Sequence, residues 1–310
     1  MKSECSNRPT SVIPRSEATW ESVFLSAPWH GLTHNDSFFA SLRRRTKTLT
    51  ERRMSVECGF NLEAARGYKS NSQIARVLTE GWVCRELYCP RCGNTHISHF
   101  PNNKAVADFF CPNCKNEYEL KSKSGRVGKR IADGAYETFI ERITGNSNPD
   151  FFVLSYDLRE MCVDDLWVIP KHFFVPGIVE KRKPLSSAAK RAGWVGCNIL
   201  FSEIPAQGRI SIIKDRAAVE KKTVLAQVQK AARLETAEME ARGWLLDVLC
   251  CVNAIRNECF TLDEVYAFAG TLAERYPNNN NVRPKIRQQL QYLRDRGFLE
   301  FLGRGRYRKI

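Results

Sequence analysis

Two pairs of cysteines have the spacing of metal ligands. Cys89-Pro-Arg-Cys92 and Cys111-Pro-Asn-Cys114 are separated by 18 residues. Two residues between paired cysteines let one tight knuckle aim both thiolates at a single ion about 2.3 Å away, and two knuckles complete a tetrahedron. The pattern predicts a Zn2+ site of four thiolates. Such a site has no open coordination position, so its metal is structural rather than catalytic. His96 and His99 lie in the loop between the pairs. With four thiolates at hand, neither is needed as a ligand.

A second set brackets the second knuckle. Asp108 stands three residues before Cys111, and Glu119-Leu120-Lys121 begins five residues after Cys114. The knuckle therefore falls at the turn between two strands. Residues two apart on a strand share a face. Glu119 and Lys121 thus point the same way, and Asp108 can reach them from the neighbouring strand. Two carboxylates with the Leu120 carbonyl between them make a hard oxygen site for Mg2+. A lysine beside it can orient or help activate a water for attack on a phosphodiester. Taken alone the pattern is loose, and Glu117, Glu119, Lys121 and Lys123 would equally make a solvated strand face.

The composition decides what surrounds these groups. The chain has 310 residues, 43% hydrophobic and 26% charged, which suits one large or two ordinary globular domains. This excludes wholesale disorder, a collagen-like fibre and a coiled-coil rod. No run of 18 uncharged apolar residues is present, and Met1 to Arg15 has no signal-peptide core. The expectation is a cytoplasmic protein with no membrane partner. In that compartment paired cysteines bind metal rather than form disulfides. The remaining eight (Cys5, Cys58, Cys84, Cys162, Cys197, Cys250, Cys251 and Cys259) read mainly as small buried apolar side chains. The net charge of +14 and pI near 9.3 point to a polyanionic partner, nucleic acid first.

Residues 1 to 53 are rich in Ser, Thr, Asn and Arg, with the basic run Arg43, Arg44, Arg45 and Lys47. They read as a disordered or dispensable extension, with Met54 an alternative start. Globular patterning begins near Asn61. Ser72 is placed to cap a helix carrying Ile74, Val77, Leu78 and Trp82. Strands are expected at Lys104–Phe110, Glu117–Lys123, Phe151–Tyr156, Leu166–Ile169 and Arg209–Ile213, with a helix at Gly134–Ile143. A long polar helix is expected over Ala217–Ala241. This mixture predicts an α/β or α+β core with a mixed sheet over 54–240. Residues 241–310 read differently. Helices are expected at Trp244–Ile255, after Thr261, and at Arg283–Arg296, the last ended by Gly297. Strands Leu299–Leu302 and Arg306–Lys309 flank Gly303-Arg304-Gly305. Three helices and a hairpin make the winged-helix pattern.

Together these residues resemble the PD-(D/E)xK nucleases, and more narrowly the DpnI-like methyl-directed type II restriction endonucleases. The resemblance runs from about Phe60 to Ile310. It rests on Tyr68-Lys-Ser-Asn-Ser-Gln73, the four cysteines with Val106-Ala-Asp-Phe-Phe-Cys111 and Glu119-Leu-Lys-Ser-Lys123, Asp133-Gly-Ala-Tyr136, Arg191-Ala-Gly-Trp-Val-Gly-Cys-Asn198, Lys285-Ile-Arg-Gln-Gln-Leu290 and Gly303-Arg-Gly-Arg-Tyr-Arg-Lys309. It implies that Asp108, Glu119 and Lys121 are catalytic, that zinc is structural at Cys89, Cys92, Cys111 and Cys114, and that a C-terminal winged helix reads DNA. It further implies a bacterial, monomeric, Mg2+-dependent endonuclease acting on duplex DNA at adenine-methylated GATC. The customary proline before the aspartate is replaced by Ala107, which costs little because proline is not a ligand.

The expected DNA-reading surfaces follow from charge. Residues 282 to 310 hold nine Lys+Arg against two Asp+Glu, half of the chain's net charge. On the third helix Ile286, Leu290 and Leu293 form the inward stripe. Arg283, Arg287 and Arg294 share an arc beside it, and Gln288 and Gln291 lie where a groove would be. Glutamine pairs with adenine edges and arginine with guanine or phosphate. Arg304, Arg306 and Arg308 suit backbone contacts. A methyl group in the major groove needs apolar contact, and Trp194 with Arg191 in its Lys/Arg-Gly context is the candidate; an ordinary core tryptophan is the competing reading. A non-enzymatic zinc and winged-helix regulator is the alternative function, and it has no need of the Asp108, Glu119, Lys121 set.

Overall fold

The structure, a computed structural model, describes residues 56–101, 107–145 and 147–310. The expected extension over 1–53, the Met54 start, Cys5 and the first residues of the expected Lys104–Phe110 strand lie outside the described residues. Helix α1 (Asn71–Glu86) buries Ala75, Leu78, Thr79, Glu80, Trp82 and Val83. Its N-cap is Ser70, two residues before the serine expected. The hydroxyls of Ser70 and Ser72 bond to each other at 2.8 Å instead of capping backbone amides. Strand β1 (Ser98–His99) pairs with β2 (Phe109–Phe110), and β2 pairs antiparallel with β3 (Glu117–Ser124) across the second cysteine pair.

From β3 the chain makes a crossover through strand β4 (Ile131–Ala135) and helix α2 (Tyr136–Thr144) into β5 (Asp150–Asp157). Strands β3 and β5 run parallel, with Glu119 opposite Phe151 and Lys121 opposite Val153. A parallel pair needs such a crossover. Gly134 and Ala135 belong to β4, not to the helix expected from Gly134, because Ile131 to Ala135 is paired with a later strand. Seven of the eight residues of β5 are buried, as in a strand covered on both faces. Each fully buried Phe or Leu there adds about 1.5–3 kcal/mol. One face is covered by α1, whose Thr79 hydroxyl lies 3.4 Å from Ser122 Oγ. The other is covered by α2, whose Phe139 meets the Phe151 ring at 6.1 Å.

Strands β6 (Cys162–Ile169), β7 (Val179–Lys181), β8 (Gly196–Ile199), β9 (Ile210–Lys214) and β10 (Ala217–Ala218) complete two sheets. The main sheet has the order β1-β2-β3-β5-β6-β9-β10, and a small sheet has the order β4-β8-β7. Helix α3 (Lys221–Ala232) then replaces the long helix expected over Ala217–Ala241. Ala217 and Ala218 pair with β9, and the helix stops where Leu234 turns into the core with no exposed surface. Tertiary burial overrides a run of good helix formers here.

The C-terminal unit opens with α4 (Met239–Ala254), which begins five residues ahead of Trp244 and two before residue 241. Strand β11 (Cys259–Thr261) leads into α5 (Leu262–Tyr266), which is set by a complete Thr261–Glu264 capping box. Helices α6 (Ala269–Arg275) and α7 (Val282–Asp295) follow, then β12 (Leu299–Gly303) and β13 (Arg306–Lys309). Gly297 ends α7 at φ +76°. The hairpin gains a third strand, in the order β11-β13-β12. Ile286, Leu290 and Leu293 form the buried stripe as expected, together with Gln289. Arg275 clasps the two units: its guanidinium reaches Asp247 at 3.0 Å, Glu203 at 3.0 Å and the Gly177 carbonyl at 2.8 Å.

Candidate active site and metal centre

The four cysteines converge. Their sulfurs all lie within 4.8 Å of one another, and they form the one group of three or more metal-ligating side chains that is this close among the described residues. Cys89 and Cys114 are 3.7 Å apart, Cys92 and Cys111 3.6 Å. A zinc ion with ~2.3 Å bonds to tetrahedral sulfur implies edges of about 3.8 Å, so the set fits Zn2+. The two knuckles are built alike. The Cys89 amide donates to Asn94 and the Cys111 amide to Asn116, and each turn closes through one left-handed residue, Gly93 at φ +77° and Lys115 at φ +60°. Burial pushes the Cys89 thiol up to about 12. At Cys92 burial works the same way, but hydrogen bonds from the Asn94 amide and the Asn113 side chain, with those of neighbouring cysteines, bring it down to about 6. Tyr118 Oη, 3.1 Å from Cys89 Sγ, joins the cluster to β3. His96 and His99 stay outside it. His99 bonds Glu80 at 3.0 Å instead.

Glu119 and Lys121 meet on the α2 side of β3, and Asp108 is tied to the residue between them through the Leu120 amide. Asp108 precedes β2 and is 4% exposed. Its Oδ2 accepts the Leu120 amide at 2.8 Å, while the Leu120 side chain packs in the core. The Lys121 ammonium meets Glu119 Oε1 at 2.7 Å and also bonds Asp133 Oδ1. Glu119 Oε2 accepts from Arg142 of α2. Lys121 is 8% exposed, so this strand face is not solvated. Burial alone would raise the Glu119 carboxyl, but the Lys121 and Arg142 charges hold it down at about 2. Burial would lower Lys121, but Asp133 and Glu119 raise it, and it stays an ammonium. Asp133 and Arg142 were not singled out from the sequence for this site. Asp133 is the one charged residue of a short strand, Ile131–Ala135, within a segment noted only for its likeness. Arg142 sits three residues from Phe139 and one from Ile143, where a charge on an apolar stripe was the available signal.

Asp133 links this cluster to a second feature. It pairs with Cys197 across β4 and β8, and Trp194 lies on the loop entering β8. Trp194 is half-buried, with its ring against Gly196, where a Cβ would come within 2.7 Å of it. The Arg191 guanidinium stacks on the indole at 4.7 Å. Trp194 is therefore neither an enclosed core residue nor a free one.

In the C-terminal unit Arg283, Arg287, Gln288, Gln291, Arg294, Arg304, Arg306 and Arg308 are all exposed. Arg283 and Arg287 stack over the Tyr266 ring at 5.2 and 5.8 Å. Arg294 pairs with Asp295 and Arg308 with Glu300, which tempers their charge. Gly303, Arg304 and Gly305 are consecutive left-handed residues at the tip of the wing. Phe301 and Leu302 are exposed beside them. Of the other cysteines read as buried, Cys197 alone is fully so among the described residues, and Cys259 is exposed.

A mixed α/β sheet with a four-thiol knuckle beside a buried acid–lysine cluster, followed by a basic helix-turn-helix unit with a wing, defines a two-part DNA-processing protein. The chain belongs to the DpnI, or Dam-replacing, family. Residues 56–237 match that family and residues 240–309 match the Dam-replacing helix-turn-helix domain. Membership sets it among methylation-dependent restriction nucleases that engage DNA through a helix-turn-helix domain.

Proposed function

We propose that the protein is a Mg2+-dependent endonuclease that hydrolyses phosphodiester bonds of duplex DNA at GATC sites methylated on adenine N6. It acts as a monomer in the bacterial cytoplasm, and Zn2+ held by Cys89, Cys92, Cys111 and Cys114 is structural. The observation that carries the reading is the buried Glu119–Lys121 pair, bonded to Asp133 and Arg142 and flanked by the Leu120 amide that Asp108 accepts. A regulator that only binds DNA has no use for so much buried charge, whose desolvation is costly.

The oxygen donors suit Mg2+, and the thiols suit zinc. Asp108, Glu119 and the Leu120 carbonyl would hold the magnesium. Asp133 Oδ2 is buried with no hydrogen-bond partner, an acceptor left for a hydrated cation nearby. Mg2+, when bound, supplies charge neutralisation and Lewis acidity at the scissile phosphate. Lys121, kept protonated, donates a hydrogen bond and positive charge to the attacking water or the phosphate. Asp133 aims the Lys121 amine. Arg142 keeps Glu119 ionised and fixes its rotamer.

Phosphate contacts from Arg304, Arg306 and Arg308 give affinity without sequence. Arg283, Arg287, Gln288, Gln291 and Arg294 read base edges, and Trp194 with Arg191 contacts the methyl group. One methyl in an apolar pocket is worth about 1 kcal/mol, only several-fold in discrimination. Two methyls on a palindrome, read by two units, multiply that factor. Digestion of methylated and unmethylated GATC plasmid side by side, with and without Mg2+, tests the reading. Cleavage of both at equal rates would refute it, and Trp194→Ala is expected to erode the ratio.

A further inference from the structure

Two loops of the nuclease unit carry unbalanced positive charge. Residues 120–130 and 181–193 hold ten Lys+Arg and no Asp or Glu. A solvated surface mixes both signs, so single-sign stretches of this size point to a polyanion. The cations at the strand ends are paired, Arg130 with Glu180 at 2.9 Å and Lys181 with Glu137 at 3.4 Å. Further out, Arg126, Lys129, Lys183 and Lys190 are exposed, and none of the four forms an ion pair among the described residues.

Both loops hang on the small β4-β8-β7 sheet, at its opposite ends. The β3–β4 loop enters β4 at Ile131, opposite Ile199 of β8. The β7–β8 loop leaves from Lys181 and returns at Gly196, opposite Ala135. From Ile131 to Ala135 is about 13 Å at roughly 3.3 Å per residue, close to the roughly 12 Å width of a B-DNA major groove. Asp133 stands midway between them, bonded to Lys121. The loop backbones are pinned. The Gly125 amide donates to the Tyr156 carbonyl and the Ser202 amide to the Lys129 carbonyl. In the other loop the Arg182 amide donates to Gly196, the Leu185 amide to Trp194 and the Gly193 amide to Leu185. Cations carried on a fixed backbone lose less freedom on binding than cations on a loop that must first be ordered.

We infer that the two loops form a backbone clamp: Arg126 and Lys129 on one side of the reaction centre, Lys183 and Lys190 on the other, engage phosphates of the duplex being cut. The inference rests on the nuclease reading above and adds a second DNA surface, separate from the C-terminal unit. Phosphate contacts fix register and orientation without reading sequence. Here they keep the scissile phosphate at the acid–lysine cluster. Trp194 stands at the root of the second loop with its ring against Gly196, so a phosphate held by Lys183 and Lys190 brings the indole against the same duplex.

The test uses full-length, zinc-loaded protein and a methylated GATC duplex in Ca2+, with Kd measured across a salt series. One variant carries Arg126→Gln with Lys129→Gln, a second Lys183→Gln with Lys190→Gln. A control carries Lys214→Gln with Lys222→Gln, two exposed cations at β9 and α3. All six side chains are exposed, so the folds should survive, and thermal unfolding checks that they do. Each loop variant is expected to lower the magnitude of the slope of log Kd against log salt by about 1 to 2, at about 0.9 per phosphate contact. The control should keep the wild-type slope, and Lys183→Arg with Lys190→Arg should restore it. Slopes equal to wild type in both loop variants overturn the inference, because the C-terminal unit alone would then hold the DNA. An equal loss in the control overturns it too, since net charge would then be the cause. Cleavage in Mg2+ by the same proteins separates this result from the reading it rests on. Cleavage by the wild type with unchanged slopes in the loop variants refutes the clamp and leaves the nuclease. Reduced slopes without any wild-type cleavage support the clamp and refute the nuclease.

Discussion

The four-thiol cluster and the acid–lysine cluster share one hairpin, yet they are assembled by opposite means. Each knuckle closes on itself through hydrogen bonds within a few residues, and two copies of one turn aim four like ligands at one point. The acid–lysine cluster has no such local program. Asp108 comes from the approach to β2, Glu119 and Lys121 from β3, Asp133 from a different sheet, and Arg142 from a helix. Its ion pairs join three of those elements: Lys121 and Glu119 of β3 with Asp133 of β4 and Arg142 of α2. A soft, closed site can be written into spacing; a hard, open one must be gathered by the tertiary fold.

The most damaging way to break this contrast is to remove a thiolate. Cys111→Ser is expected to take zinc content well below about one per chain and to cost more than about 3 kcal/mol of stability, because metal binding is folding energy. Calorimetry and metal analysis on one sample check it, and a metal-free protein of undiminished Tm would contradict it. On the other side of the hairpin, the loss should fall on chemistry. Asp108→Asn and Lys121→Met are expected to slow cleavage by about 10³-fold while methylated duplex is still retained in Ca2+. Cleavage at the wild-type rate by either variant removes it from the catalytic set.

Acid sharpens the comparison. Glu119 is depressed to about 2 in the folded protein, against about 4.3 when unfolded. Its contribution, on the order of 3 kcal/mol, is fully present above the unfolded value and fades as pH falls toward 2. Thiolates must take up protons to release zinc, and a thiolate is a far stronger base than a carboxylate. Zinc release, followed with a chelating dye, is therefore expected at higher pH than the closing of the stability gap between wild type and Glu119→Gln. The smallest effect concerns the paired turns. Gly93→Ala should cost about 1–2 kcal/mol for its left-handed backbone, with its Cβ 3.3 Å from Leu225. Lys115→Gly should be neutral or stabilising by up to about 1 kcal/mol. Equal effects of the two substitutions would show that the turns are not equivalent.

What could be read before folding follows the same division. The cysteine spacing, the alternation of Glu119 and Lys121, the apolar run of β5, and the caps and glycines of the C-terminal unit are signals contained within one element, and they survive in the structure. Asp133, Arg142 and the small β4-β8-β7 sheet were hidden because their meaning lies in partners far along the chain. Strand β4 is short and holds a glycine, so its pattern merged with the helix after it. The long polar stretch after β9 read as one helix because nothing local marks Leu234 as the residue that must dive inward. Trp194 was placed on a reading surface by its neighbours' charge, and its half-buried stack with Arg191 is a geometry no periodicity encodes.

Strand β3 lies between a near neighbour in the chain and a distant one, and this sets an order in time. The β2–β3 turn closes a short loop, whereas the parallel β3–β5 ladder waits for β4 and α2 to be threaded between, at greater entropic cost. The Leu120 amide that Asp108 accepts can thus be sheltered while Lys121 and Glu119 still lack Asp133 and Arg142. Pulse-labelled amide exchange during refolding would see protection at Leu120 precede that at Phe151. A chain caught between those moments holds its metal knuckle and has no reaction centre, so a half-made nuclease is a harmless one.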